Sequence, residues 1–122
     1  MPLTQGLIEV IVYVRDMARA VAFYRDGLGL RVTYPAGRAD YGGEPWVTLD
    51  TGACVLALHA GGGEPGASPA KIVFGVADVH AARAALLAWG IRLGEVRPAA
   101  PGVWVCDGRD PDGNPFALEA RA

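Results

Sequence analysis

An internal repeat constrains this chain more than any other feature of it. Strand formers at Ile11-Val12-Tyr13-Val14 run into Asp16, apolar residues follow at Met17, Ala20, Val21, Tyr24 and Leu28, and Gly29 ends the stretch. The i, i+3, i+4, i+7 spacing predicts a helix with one buried face. Asp16 suits its N-cap, because a carboxylate there accepts from the free N–H groups of the first turn. Gly29 suits the left-handed residue that stops a helix. The pattern then recurs. Ile72-Val73-Phe74-Gly75-Val76 meets Asp78, a stripe follows at Val79, Ala82, Leu86 and Trp89, and Gly90 closes it. Asp16 and Asp78 lie 62 residues apart, Gly29 and Gly90 61, and Leu56-Ala57-Leu58-His59 answers Phe116-Ala117-Leu118-Glu119 at 60. Two copies are too few for a solenoid. The fold they predict is α+β: two tandem βαβββ modules related by a pseudo-two-fold.

The remaining elements follow from punctuation. Strands are expected at 7–14, 31–34, 46–50 and 54–59 in module one (about 7–60), and at 71–76, 94–97, 103–107 and 116–120 in module two (about 70–120). Helices are expected at 17–28 and 79–89. Ala36 to Glu44 is polar and Gly-rich and reads as a hairpin loop. Residues 61–69, which open with Gly61-Gly62-Gly63, read as the linker between modules. No Lys-Ser/Thr follows the triple glycine, so it is not a phosphate loop. Asp110-Pro111-Asp112-Gly113-Asn114 alternates acidic side chains as a calcium loop does. Its Gly comes too early, however, and Arg121 stands where the closing Glu should be, so a hairpin turn is expected.

Composition narrows the partners. With 122 residues and 52% hydrophobic content, one domain with a real core is expected. A net charge of −2 offers no basic field for nucleic acid or anionic lipid. No apolar run approaches the roughly 18 residues of a membrane span, and MPLTQG lacks the features of a secretory signal, so a cytoplasmic protein is expected. Cys54 and Cys106 show no metal spacing and read as buried free thiols.

The stretch Asp16-Met17-Ala18-Arg19-Ala20-Val21-Ala22-Phe23-Tyr24-Arg25-Asp26-Gly27-Leu28-Gly29-Leu30, together with Asp110-Pro111-Asp112-Gly113-Asn114-Pro115-Phe116-Ala117-Leu118-Glu119, resembles the vicinal oxygen chelate superfamily. That superfamily includes glyoxalase I, bleomycin-resistance proteins and extradiol dioxygenases. The likeness runs from about Leu7 to Glu119. It implies a curved, cup-like mixed sheet and a homodimer, with each cup made within one chain or across the pair. It is less specific for activity, since one fold hosts many chemistries.

In metal-dependent relatives, four His or Glu side chains hold a divalent ion on the cup floor. The resemblance places the first-strand ligand seven residues before the capping Asp, which gives Glu9 and Lys71, and the last-strand ligand in mid-strand, which gives Ala57 and Ala117. Glu9 could ligate; an ammonium and two methyl groups could not. The expectation is therefore a degenerate site with no cofactor. The alternative is a displaced divalent metal site at Glu9, His59 and Glu119, since His59 and Glu119 each lie two residues past an alanine, on its face. Tyr41, Trp46 and Trp104 are the aromatic candidates for lining the cup, and with Glu9, His59, Lys71 and Glu119 they make up the expected ligand-binding set.

Three functions follow. One is a protein that binds a small apolar or aromatic molecule without metal. Another is a metal-dependent lyase or dioxygenase with relocated ligands. The third is a metal-free enzyme with Glu9 as general base, tuned by burial and by Lys71. In the first and third, Lys71 is expected to stand in for the metal's charge and hold Glu9 ionised.

Overall fold

Strand β1 (Glu9–Val14) alternates, with Val12 and Val14 buried and Ile11 exposed. The computed structural model describes residues 3–121 and divides between Pro65 and Gly66 into two compact units, one for each module. In the first, β1 is followed by helix α1 (Met17–Val21), β2 (Arg31–Tyr34), β3 (Trp46–Asp50) and β4 (Val55–Ala60), and the sheet order is β1-β4-β3-β2. β1 runs parallel to β4, while β3 runs antiparallel to both β4 and β2, so the sheet is mixed. The register puts Val10, Val12, Leu56, Leu58, Val47 and Leu49 on one face, and α1 packs there against β4. Glu9, Ile11, Tyr13, Ala57, His59, Trp46 and Thr48 lie on the other, open face.

The predicted helix 17–28 is present with one alteration. Asp16 caps it, accepting from the Arg19 N–H at 3.2 Å. From Ala22 to Gly27 the helix widens into a π-helical turn, in which the Leu28 N–H reaches the Phe23 carbonyl five residues back. That wider turn accompanies a change of register in the stripe. Phe23 and Tyr24 are both buried, edge to face at 4.8 Å, where α-helical spacing selects Tyr24 alone.

Module two repeats the plan with β5 (Ile72–Gly75), α2 (Val79–Ala88), β6 (Arg97–Ala100), β7 (Val103–Arg109) and β8 (Pro115–Arg121), in the order β5-β8-β7-β6. Asp78 caps α2, accepting from the His80 and Ala81 N–H groups. At the other end the Ile91 N–H bonds the Leu86 carbonyl and the Gly90 N–H bonds that of Leu87, a Schellman closure for which Gly90 takes φ +84. α2 packs on β7 and β8. Phe116 and Leu118 are buried on the face that carries it, and Ala117 faces away, as alternation predicts. Each fully buried Leu or Phe contributes about 1.5–3 kcal/mol. The expected α+β plan of two βαβββ modules is thus present, with its strands in two four-stranded mixed sheets, one per module.

One strand is misplaced in the sequence reading. β6 was expected at 94–97 and spans Arg97–Ala100, where Pro98 and Ala99 read as loop. Proline lacks an N–H, but β6 is an edge strand, where one side of the backbone needs no partner. The register there shifts between Pro98 and Ala100. Among the described residues no helix is long and apolar enough to cross a membrane.

Candidate functional site

The two open faces carry most of the residues singled out in the sequence. In module one the parallel register sets Glu9 opposite Val55 and His59 opposite Tyr13. Glu9 and His59 therefore share a face but stand four rungs apart, about 13 Å at the usual strand rise. The register thus sets two members of the displaced metal set, Glu9 and His59, well apart along the strands. His59 is engaged elsewhere. Its ring lies edge-on to Trp46 at 5.3 Å and tilted to Tyr13 at 6.0 Å.

The triple glycine finishes this aromatic cluster. A Cβ on Gly62 would collide with His59 Nδ1, and one on Gly63 would come within 2.7 Å of the Tyr13 ring. The backbone at Gly62 and Gly63 thus lies flat against two rings, which the composition of a linker does not reveal. Tyr13 was missed as well. Its signal was its place on the same alternating face as Glu9 and Ile11.

Two aromatic candidates lie off the open faces. Tyr41 is only 5% exposed, its hydroxyl donates to the Pro35 carbonyl at 2.9 Å, and the Arg25 guanidinium lies over its ring. It is a strut of the β2–β3 loop and not a lining residue. Trp104 pairs with Ala120, in line with Leu118 and Cys106, on the face that carries α2. The residue opposite Glu119 is Val105, as Trp46 is opposite His59. Trp46 and Trp104 are therefore one residue out of step, and one residue reverses the face.

The charged centre of module two lies where the sequence shows only Lys71. Asp107 pairs with Ala117 across the sheet. Its Oδ1 accepts from Lys71 Nζ at 2.9 Å and its Oδ2 from Arg97 at 2.9 Å. These hydrogen bonds, that of Lys71 first, hold the Asp107 carboxyl below its usual range. Lys71 and Asp107 remain 45% and 42% exposed, so the pair is solvated and is not the dry ion pair expected of Lys71. A hollow of about 190 Å³ opens here, lined by Lys71, Arg97, Asp107, Val73, Val105 and Glu119. Arg121 Nε holds Glu119 at 2.8 Å. A shallower hollow of about 540 Å³ shares Lys71 and Asp107 and adds Arg92 and Arg109. Beneath this face burial pushes the Cys106 thiol up.

Of the residues that the resemblance sets at the family's metal positions, Glu9 carries a carboxylate, Ala57 and Ala117 carry no donor atom, and Lys71 Nζ donates to Asp107. No group of three His, Cys, Asp or Glu side chains converges among the described residues.

The comparisons with known proteins agree with the architecture. Three solved structures share the fold over nearly the whole chain. TnmS3, an antibiotic binding protein from Streptomyces sp. CB03234, superposes with a TM-score of 0.80 at 20% identity, covering 100% of both chains. FosX, a genomically encoded fosfomycin resistance protein from Listeria monocytogenes, gives 0.79 at 17% identity, covering 98% of this chain and 96% of its own. A lactoylglutathione lyase from Agrobacterium tumefaciens gives 0.73 at 21%, with the same coverage. No curated protein matches. The model of the glyoxalase/bleomycin resistance protein/dioxygenase superfamily matches residues 6–118, and the chain belongs to that family.

Proposed function

We propose that this chain binds a small apolar or aromatic molecule on the open faces of its sheets, without a metal at the family's ligand positions. The observation that carries the reading is the substitution of those positions. Ala57 and Ala117 stand in mid-strand on the open faces, and the cation Lys71 places one of its donors on Asp107. Both methyl groups are themselves covered, and Ile11 and Val73, each about half exposed, supply the apolar surface beside them. TnmS3, an antibiotic binding protein, has a role of the same kind.

The reading extends to a homodimer in which the two modules act as one domain. Leu7, Ile8, Ile11, Tyr34 and Val73 are 46–73% exposed, and they sit on or beside β1, β2 and β5, the edge strands, whose groups suit a partner. Light scattering after size exclusion should give twice the monomer mass at every concentration.

A thermal-shift screen of aromatic metabolites and divalent metals, with metal analysis of the purified protein, tests the main reading. A stabilising aromatic compound and less than a tenth of an equivalent of metal are expected. A stoichiometric divalent metal overturns it.

A second reading rests on Glu9, a half-buried carboxylate on the open face with no ion-pair partner among the described residues. Such a group is available as a general base. Turnover of a bound ligand that Glu9→Gln abolishes would establish that role.

A further inference from the structure

We propose that the open face of module two receives the anionic group of a small organic acid, with Lys71 and Arg97 as its two donors and Asp107 as the residue that positions them. This rests on the small-molecule reading above and names the chemistry of the ligand.

One carboxylate is shared by two cations, one on each oxygen. An ammonium has three donors and a guanidinium five, and the bonds to Asp107 use one of each. The rest are available to a ligand. Two positive charges and one negative leave one positive charge on this wall. Glu119, the other acid in the hollow, has its own cation in Arg121. The neighbouring hollow adds Arg92 and Arg109, so the surroundings of Lys71 are positive although the whole chain carries −2.

The rest of the hollow is apolar. Val73, Val105, Ala117 and Ala99 supply its apolar lining. Its 190 Å³ corresponds to about six water volumes, room for a molecule near the size of benzoate. A free inorganic anion would use the donors and ignore the apolar lining, whereas a neutral aromatic would use the lining and leave the donors idle. An organic acid uses both.

The experiment titrates the isotope-labelled full chain with benzoate, benzamide and inorganic phosphate, followed by amide NMR shifts. Benzoate should move the amides of Val73, Val105 and Asp107, and its affinity should fall as salt rises. Benzamide and phosphate should bind at least tenfold more weakly. Lys71→Gln and Arg97→Gln should each weaken benzoate about tenfold while leaving distant amides in place, and Arg97→Lys should lose less than Arg97→Gln. Benzamide binding as tightly as benzoate overturns the anionic part and leaves small-molecule binding standing. Phosphate binding equally well overturns the organic part. If a compound from the thermal screen binds while all three probes leave module two unmoved, this inference alone falls. If nothing in that screen binds, both readings fall.

Discussion

Lys71 Nζ donates to Asp107 Oδ1 at 2.9 Å, and the bond ties the residue before β5 to the middle of β7 across β8, the strand between them. At this position, where the resemblance implies a metal ligand, the lysine's ammonium has a carboxylate in its own sheet.

Both partners are about half exposed, so their coupling should be small. A double-mutant cycle of Lys71→Ala and Asp107→Ala, read from urea unfolding, should give about 0–1 kcal/mol, shrinking at high salt. The folded-state carboxyl lies below its ordinary value. Its contribution is therefore complete above about pH 4 and is lost as pH falls through the lower folded value. The coupling should be flat from pH 5 to 8, and a loss in that window would contradict the assignment.

Gly62→Ala should destabilise module one. The new methyl would collide with the His59 ring, and that ring is hemmed in by Trp46 and Tyr13. Overpacking of this kind costs about 1–3 kcal/mol. Adding His59→Ala should recover much of the loss, and an additive double variant would show that the glycine does not pack on that ring.

The tryptophans offer an optical test of the faces. Trp46 lies on the open face of its sheet, and Trp104 lies on the helix-bearing face of its own. A ligand on the module-one open face should change the fluorescence of the chain. Trp46→Phe should abolish that change and Trp104→Phe should preserve it. The reverse outcome would exclude the open face of module one as the ligand surface.

Cys106 should be inert in the native protein. It is fully buried, and burial pushes its thiol up, so little thiolate forms at neutral pH. A disulfide reagent at pH 8 should modify only the half-buried Cys54 until denaturant is added. Rapid native labelling of Cys106, read by mass spectrometry of its peptide, would contradict the packing.

The local signals in this chain are strong and self-consistent, and they carried the elements. Asp16 and Asp78 cap the helices because short acidic side chains satisfy first-turn N–H groups whatever lies elsewhere, and Gly90 ends α2 because only glycine takes its backbone angle cheaply. Strict alternation at Phe116-Ala117-Leu118 was enough to assign faces. Where local chemistry competes with a neighbour, the reading failed. Pro98 breaks an isolated strand but not an edge strand held by β7. The spacing of an α-helix could not foresee the π turn from Ala22 to Gly27.

The candidate site shows the same division. The resemblance singled out Glu9, Lys71, Ala57 and Ala117, and the repeat made them equivalent pairs, because periodicity is a property of the chain. Which residues stand beside them was decided by register between strands distant in sequence. Asp107 meets Lys71 from 36 residues away, His59 stands four rungs from Glu9, and Trp104 turns to the helix side by a single step of offset. Alternation tells two faces apart but not which face of one strand adjoins which residue of the next. Hydrogen-bonded pairing across the sheet sets that, and only the tertiary structure contains it.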